Sequence, residues 1–342
     1  MKKEISLFSI IFRLGIWLAL AAVLFITAAA IFSDYRRVIA LIGSISPAWL
    51  VFVILSVLFN YVLRFAKWNY FLRILHISVP LRLNLWVFFS AFTMVLSPAK
   101  LGELVKSLLL KARLDIPVAA TAPVVMAERL TDLAGLLILC ALGFSQFAFG
   151  GNTLLITSLI IGSGIVIITR SGFWKFVDRA LALHTSLSRF RNTVRTIESG
   201  TRTLLTLKSL LVTVPLSAVS WAGEGVALYL IFRAMGLDSE NLLAIAVFAH
   251  SFASIAGALS FFPGGLLVTE GTMGMFFVYA SIPDAVAVSA TFLIRALTLW
   301  FAVILGTMVF FIGHRRSDLQ VFRLSAAGEN AAATVLATPD NS

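Results

Sequence analysis

Charged residues and cysteine are scarce in this 342-residue chain. Asp, Glu, Lys and Arg make up 13% of the residues, and the single cysteine, Cys140, lies within an apolar run. A soluble domain carries about 25% charged residues, so the composition excludes an ordinary soluble protein. One cysteine also excludes a disulfide framework and a cysteine-based metal site.

Histidine is equally sparse. His76, His184, His250 and His314 are scattered without the spacing of metal ligands. We therefore expect no metal ion and no cofactor. We expect His250, which lies in a long apolar run, to be a packing residue that makes a hydrogen bond.

Apolar sequence, by contrast, is abundant and makes up 60% of the chain. Runs close to the ~20 residues needed to cross a bilayer recur along it. We predict an all-α polytopic membrane protein with about six full transmembrane helices. These lie near residues 14–32, 48–63, 117–147, 154–168, 210–232 and 285–312.

Two further apolar segments are interrupted by proline and glycine, which disrupt helix interiors. We predict a re-entrant hairpin at each, the first entering from the cytoplasm and the second from outside. The expected tip residues are Pro98, Gly102, Pro263, Gly264 and Gly265. The total is then eight membrane elements.

The +11 net charge is distributed as in a membrane protein, which argues against a nucleic-acid partner. Most Lys and Arg residues, among them Arg64, Lys67 and Lys106, fall at predicted cytoplasmic ends of apolar segments. We expect both termini in the cytoplasm and a location in a bacterial inner membrane. The basic segment 171–208 fits an amphipathic helix on an anionic leaflet, with a solvated loop as the alternative.

The two halves of the chain repeat the same order of features. Pro98 precedes Arg129 by 31 positions, and Pro263 precedes Arg295 by 32. Because the halves would run in opposite directions, we predict an inverted-topology repeat, which is typical of transporters. Repeat 1 covers about residues 10–148 and repeat 2 about 153–316 of one transmembrane domain, 1–316. A disordered cytoplasmic tail, 317–342, follows.

Ionisable residues inside membrane segments are costly and by default indicate function. The candidates for contact with a lipid head group are Glu103, Glu128, Arg129, Asp132, Glu224, Glu270 and Arg295, with Lys100 near the first tip. Arginine offers a fork of donors that suits phosphate. The alternative is structural pairing, of Arg129 with Glu103 or Asp132 and of Arg295 with Glu270. Lys100 contacts an anion or extends to the interface; both stay open.

These residues carry a family resemblance over about residues 10–315. The chain resembles the lysylphosphatidylglycerol synthase transmembrane region, also called the flippase-like or UPF0104 membrane family. The resemblance rests on Pro98…Gly102-Glu103, Glu128-Arg129-Leu130-x-Asp132, Pro263-Gly264-Gly265…Glu270 and the late Arg295. Leu267 stands where the family often has a third glycine.

The resemblance implies a lipid flippase or transporter. In fused bacterial members, such a region moves aminoacylated phosphatidylglycerol between leaflets and precedes a soluble aminoacyl-transferase domain. This chain ends shortly after the last predicted span, so we expect no synthase activity and no enzyme. The expected substrate is a phosphate-bearing lipid, either an aminoacyl-phospholipid or a polyprenyl-phosphate-linked glycolipid.

Two other classes stay open. One is an intramembrane lipid-linked glycosyltransferase, although the predicted outer loops are short for a donor-binding site. The other is an accessory subunit of an envelope lipid or glycan synthesis complex, which would use segment 171–208. Membrane lipids are the expected partners; a glycosyltransferase or synthase partner and an oligomeric state are left open.

Overall fold

The fold is taken from a computed structural model that describes residues 35–97, 102–143, 171–182 and 191–313, together with positions 159 and 163. These residues form helices joined by turns, with no strand among them. The predicted span at 14–32, nearly all of the span at 154–168 and the tail 317–342 lie outside the described residues.

Eleven α-helices lie within the described ranges. They are α1 (Tyr35–Ser44), α2 (Pro47–Ile74), α3 (Leu81–Ser90), α4 (Val105–Leu114), α5 (Val118–Gly143), α6 (Ser171–Ala182), α7 (Arg191–Leu204), α8 (Leu207–Ala234), α9 (Leu242–Leu259), α10 (Val268–Tyr279) and α11 (Asp284–Arg295). A 3-10 turn, Ala91–Met94, extends α3, and α11 continues helically to Gly313.

Four of the described helices are long and apolar enough to cross a membrane: α2, α8, α9 and the continuous helix Asp284–Gly313. Helix α5 has 26 residues, which also suffices in length. It differs because Glu128, Arg129 and Asp132 interrupt its apolar sequence, and two of these three are buried. The polar residues of α5 therefore face other helices.

The same order of elements occurs twice. A 28-residue helix, α2 or α8, precedes two shorter helices and then another long helix, α5 or α11. Helices α2 and α8 pack along each other. The amide of Asn60 donates to the Ser220 carbonyl at 2.9 Å, and the Ser220 hydroxyl returns a bond to the Asn60 carbonyl at 3.1 Å.

The second proline-containing break lies next to Leu96, two residues before Pro98. Gly264 and Gly265 adopt positive φ angles of 61° and 67°, which glycine tolerates without a steric penalty. A Cβ on Gly264 would lie 2.8 Å from Leu96 Cδ2, so the second break packs directly against this leucine. Leu96, Leu266 and Leu299 form a small apolar cluster there. Pro98 itself lies outside the described residues.

The structure corrects three sequence expectations. The predicted span 48–63 is too short, because α2 continues to Ile74 and carries Arg64 and Lys67 inside the helix. The residues between the predicted spans 14–32 and 48–63 were expected to form a short loop, but Arg36 belongs to helix α1, which packs on α11. The basic segment folds as two helices, α6 and α7, where one amphipathic helix was expected.

Candidate functional site

Seven ionisable side chains converge where α2, α5 and the start of α4 meet. We call this group the Arg129 cluster: Arg64, Lys67, Glu103, Lys106, Glu128, Arg129 and Asp132. It holds four cations and three carboxylates. Their removal from water is tolerable only because opposite charges pair at short distances.

Two pairs in the Arg129 cluster are fully enclosed. Lys106 pairs with Glu128, and their side chains are 3% and 2% exposed. The Lys106 ammonium also lies 4.4 Å from the centroid of the Trp68 ring. Lys67 donates to Asp132 at 2.5 Å and to the Ser217 hydroxyl at 2.7 Å, which ties α2 to both α5 and α8. These contacts make Lys67 and Lys106 part of the buried framework.

Arg129 is held more loosely than its neighbours. Its Nη2 lies 2.9 Å from Glu103 Oε2 and 3.1 Å from Asp132 Oδ2, which confirms the pairing alternative drawn from the sequence. Yet among the residues that the structure describes, its Nε and Nη2 have no hydrogen-bond partner of acceptable geometry. Its side chain is 24% exposed, against 4% for Asp132. These two nitrogens are themselves buried, so the exposure belongs to the rest of the side chain. Arg129 is thus partly exposed and keeps donor capacity that the neighbouring carboxylates do not fill.

A second group, which we call the Arg295 cluster, consists of two pairs: Arg295 with Glu270, and His250 with Glu224. Arg295 Nε donates to Glu270 Oε1 at 2.6 Å, and its Nη2 donates to the Gly264 carbonyl at 2.8 Å. This confirms the predicted pairing of Arg295 with Glu270. The second bond fastens α11 to the Pro263–Gly265 break, so Arg295 has a structural role at that break.

The helix changes its hydrogen-bond pattern directly after Arg295. Residues Ala296–Trp300 form a π-helical turn, a feature that often occurs at functional sites. The hydroxyl of Tyr61 donates to the Thr298 carbonyl at 2.9 Å. Helix α2 therefore contacts this irregular turn as well as the Arg129 cluster.

His250 is buried beside a carboxylate. Its Nε2 lies 3.4 Å from Glu224 Oε2, and its ring is tilted against Trp221 at 6.4 Å. Within the described part of the chain, its Nδ1 has no hydrogen-bond partner. The burial expected of His250 is confirmed, and its polar contact is this close approach to Glu224.

The two clusters are linked through Trp221 and Arg64. The Trp221 ring lies 6.4 Å from the His250 ring. The side chain of Arg64 also donates to Glu103 at 3.3 Å and faces the Trp221 ring at 5.9 Å. Together they form one polar centre that extends across both halves of the chain.

Sequence reasoning identified most of this centre, but not its lysines. Arg64, Lys67 and Lys106 were expected only as charges at the cytoplasmic ends of membrane segments. The structure adds that Lys67 and Lys106 are buried and paired with carboxylates. The available signal was the apolar sequence that continues past Lys67 through Trp68, toward the end of α2. Lys100 lies outside the described residues.

No group of three or more histidine, cysteine or carboxylate residues suited to a metal ion occurs within the described ranges. The carboxylates of the polar centre are instead matched with lysine and arginine. The contacts of these carboxylates are therefore ion pairs within the protein.

Comparison with known proteins identifies a family. Residues 15–306 match the family described as the lysylphosphatidylglycerol synthase TM region. The chain belongs to this family. The match includes both clusters and both breaks, and together with the long apolar helices it establishes an integral membrane protein.

The curated relatives are UPF0104 membrane proteins of archaea. One from Methanothermobacter thermautotrophicus is 33% identical over 119 residues, which is 34% of this chain and 35% of the relative. One from Methanocaldococcus jannaschii is 24% identical over 221 residues, covering 64% of this chain and 93% of the relative. The match thus spans about a third of the Methanothermobacter protein. No solved structure matches the chain.

Proposed function

We propose that this protein moves a phosphate-bearing lipid between the two leaflets of its membrane. The lipid is an aminoacyl-phospholipid or a polyprenyl-phosphate-linked glycolipid, and the protein acts as a transporter without catalysing a reaction. The observation that carries the proposal is Arg129. It is a charged fork of donors inside a membrane protein, 24% exposed and with hydrogen-bonding capacity to spare.

The surrounding contacts explain how Arg129 stays free for a ligand. Glu103 is also approached by Arg64 at 3.3 Å, and Asp132 is bound by Lys67 at 2.5 Å. The buried carboxylates therefore remain neutralised when the Arg129 guanidinium turns towards a phosphate. Glu128, Glu224 and Glu270 would keep the other cations in place or accept from hydroxyl and amino groups of the head group.

We further propose that the breaks are the tips of two re-entrant hairpins in an inverted-topology repeat. Support comes from the repeated order of elements and from the contact between Gly264 and Leu96 at the breaks. Hairpins that enter from opposite faces would meet near the bilayer midplane, where transporters bind their substrates. Rocking of one repeat against the other would then expose the polar centre to each side in turn.

In this proposal, both termini lie on the cytoplasmic side of a cytoplasmic membrane. Lys100, beside the first tip, is a further candidate contact for the phosphate. The named relatives come from archaea, so a bacterial origin rests on the sequence expectation alone.

The decisive experiment is lipid movement in liposomes that contain the purified full-length protein. Head-group-labelled phosphatidylglycerol, its lysyl ester and a polyprenyl phosphate are tested in parallel. We expect movement of at least one of them, loss of that movement in Arg129→Gln, and partial recovery in Arg129→Lys, which keeps charge but not the fork.

The matched control is Arg37→Gln, which removes one exposed arginine from α1 and should leave movement unchanged. Each variant is first shown to be folded by its unfolding midpoint in detergent. Wild-type protein that moves none of the three lipids, or a folded Arg129→Gln variant that moves them at the wild-type rate, would overturn the proposal.

A further inference from the structure

Within the ranges that the structure describes, exposed basic residues are concentrated on the helix pair α6 and α7. Between these helices is a cleft of about 380 Å³. It is lined by four cations, Lys175, Arg179, Arg195 and Arg202, and by two carboxylates, Asp178 and Glu198. Trp174, only 6% exposed, forms part of its wall.

The carboxylates of the cleft are already bound. Asp178 accepts two hydrogen bonds from Arg191, at 2.9 and 2.5 Å, and Glu198 accepts one from Arg202 at 3.4 Å. Arg195 lies 3.9 Å from Asp178, at the limit of an ion pair. Within the described ranges, Lys175 and Arg179 have no ion-pair partner, so positive charge is in excess along one side of the cleft.

An apolar surface borders this basic side. Phe176 is 71% exposed and stands three positions before Arg179, which makes the two side chains neighbours on the surface of α6. Phe173 is also exposed on that helix. Exposed phenylalanine next to lysine and arginine is typical of a helix in the membrane interface, with its cations at the level of the lipid phosphates.

The cleft is fixed to the helix that carries Arg129. Helix α7 packs on α5, and Gly200 approaches so closely that a Cβ there would lie 2.7 Å from Pro123 Cγ. Thr201, fully buried, contacts Met126. Pro123 and Arg129 are six residues apart on α5, a rise of about 9 Å.

From these observations we propose that the cleft binds the head group of an anionic phospholipid from the adjoining leaflet. Lys175, Arg179 and Arg195 contact the phosphate, while Phe173 and Phe176 lie among the acyl chains. A free phosphate has no apolar part that could contact the exposed phenylalanines, so a lipid is the expected occupant. This site is separate from the Arg129 cluster and does not depend on the transport proposed above.

The test measures binding of dioctanoyl phosphatidylglycerol to the full-length protein in detergent by native mass spectrometry. The variant Arg179→Gln/Arg195→Gln should bind about 10- to 30-fold more weakly, because each basic residue near the phosphate contributes independently. The control, Arg73→Gln/Arg82→Gln, removes the same charge from exposed positions in α2 and α3. It should bind like wild type.

Location and chemistry are checked separately. A phosphatidylglycerol analogue with a photoreactive group beside the phosphate should crosslink to peptides from residues 171–204. Dioctanoyl phosphatidylcholine should bind at least tenfold more weakly, and glycerol 3-phosphate should not compete at equal concentration. Equal loss in both double variants, crosslinks only elsewhere, or glycerol 3-phosphate binding as tightly as the lipid would each overturn the proposal.

Discussion

Arg129 and Arg295 occupy comparable places in the two halves of the chain but are bound very differently. Each pairs with a glutamate that follows a break, Glu103 or Glu270. Arg295 is 11% exposed and makes two short hydrogen bonds, one of them to the backbone of the break. Arg129 is 24% exposed, and its Nη2 makes two charge contacts without hydrogen-bond geometry.

The difference arises from the neighbours. In the Arg129 cluster, Arg64 and Lys67 supply positive charge to the same carboxylates that Arg129 faces. In the Arg295 cluster, Glu270 has Arg295 as its partner at 2.6 Å, and the cluster holds two carboxylates. Because Arg64 and Lys67 already neutralise these carboxylates, the carboxylates do not depend on Arg129. The predictions below test whether one arginine is a ligand and the other a structural element.

The largest loss of stability is expected at the Lys106–Glu128 ion pair, because both side chains are buried. Lys106→Met leaves Glu128 charged and buried without its partner, so we expect a loss of about 3–5 kcal/mol in the free energy of unfolding. The double variant Lys106→Met/Glu128→Met should regain most of it, since an apolar pair of similar volume avoids the desolvation cost. Denaturant unfolding in detergent micelles measures both; a single variant as stable as wild type would contradict the enclosed pair.

Arg295→Met should come next, with a loss of about 3 kcal/mol, because Glu270 and the Gly264 carbonyl both lose their donor. Hydrogen exchange should rise at residues 263–270, where the break is no longer fastened to α11. Arg295→Lys should recover only part of the stability, since an ammonium group lacks the fork. Full recovery with lysine would mean that charge alone, and not the two-point contact, holds the break.

An intermediate loss of stability is expected at the contact between Gly264, in the second break, and Leu96. Gly264→Ala places a Cβ at φ 61°, close to Leu96, so we expect a loss of roughly 1–2 kcal/mol from the backbone alone. The matched control is Gly274→Ala in α10, where nothing lies within 4 Å of an added Cβ. That control should be neutral or stabilising by about 0.5–1 kcal/mol. Equal effects at both positions would show that the breaks do not pack as described.

Some helices could be predicted from the sequence, and some helix ends could not. Long apolar runs predicted the helices at 210–232 and 285–312 well, because hydrophobic length is set by the bilayer itself. The boundary at 63 was wrong because Arg64 and Lys67 resemble residues that flank a span. Whether a cation in an apolar helix is buried depends on a carboxylate from a distant helix, and the sequence of α2 alone does not contain that information.

The candidate site was likewise only partly predictable from the sequence. The pairing of an arginine with a carboxylate that follows a break was one of the two alternatives drawn from the sequence, and the structure shows it in both halves. The unequal exposure of Arg129 and Arg295 was not predictable, because it depends on Arg64, Lys67 and Ser217 arriving from α2 and α8. Similar motifs in the two halves can therefore have different roles when different side chains pack around them.

Arg129→Gln should affect stability little, by at most about 1 kcal/mol, since the residue is partly exposed and the remaining cations still balance the carboxylates. Lipid movement should nevertheless be lost. The informative measurement is the pair of values, unfolding free energy and transport rate, for Arg129→Gln beside Arg295→Gln. A loss of stability in Arg129→Gln equal to that in Arg295→Gln would remove the distinction between the two clusters.

The smallest change in stability is expected in the helix pair α6 and α7, where Arg191 binds Asp178. Hydrogen bonds from Arg191 hold the pKa of Asp178 below its usual range. The stabilisation is therefore present above the unfolded pKa, near 4, and is lost as the pH falls through the lower folded value. Hydrogen exchange in α6, corrected for the intrinsic rate, should rise modestly between pH 5 and pH 3. Arg191→Gln should abolish that pH dependence while leaving exchange in α8 unchanged; a pH dependence that persists in the variant would show that another group docks α6 onto α7.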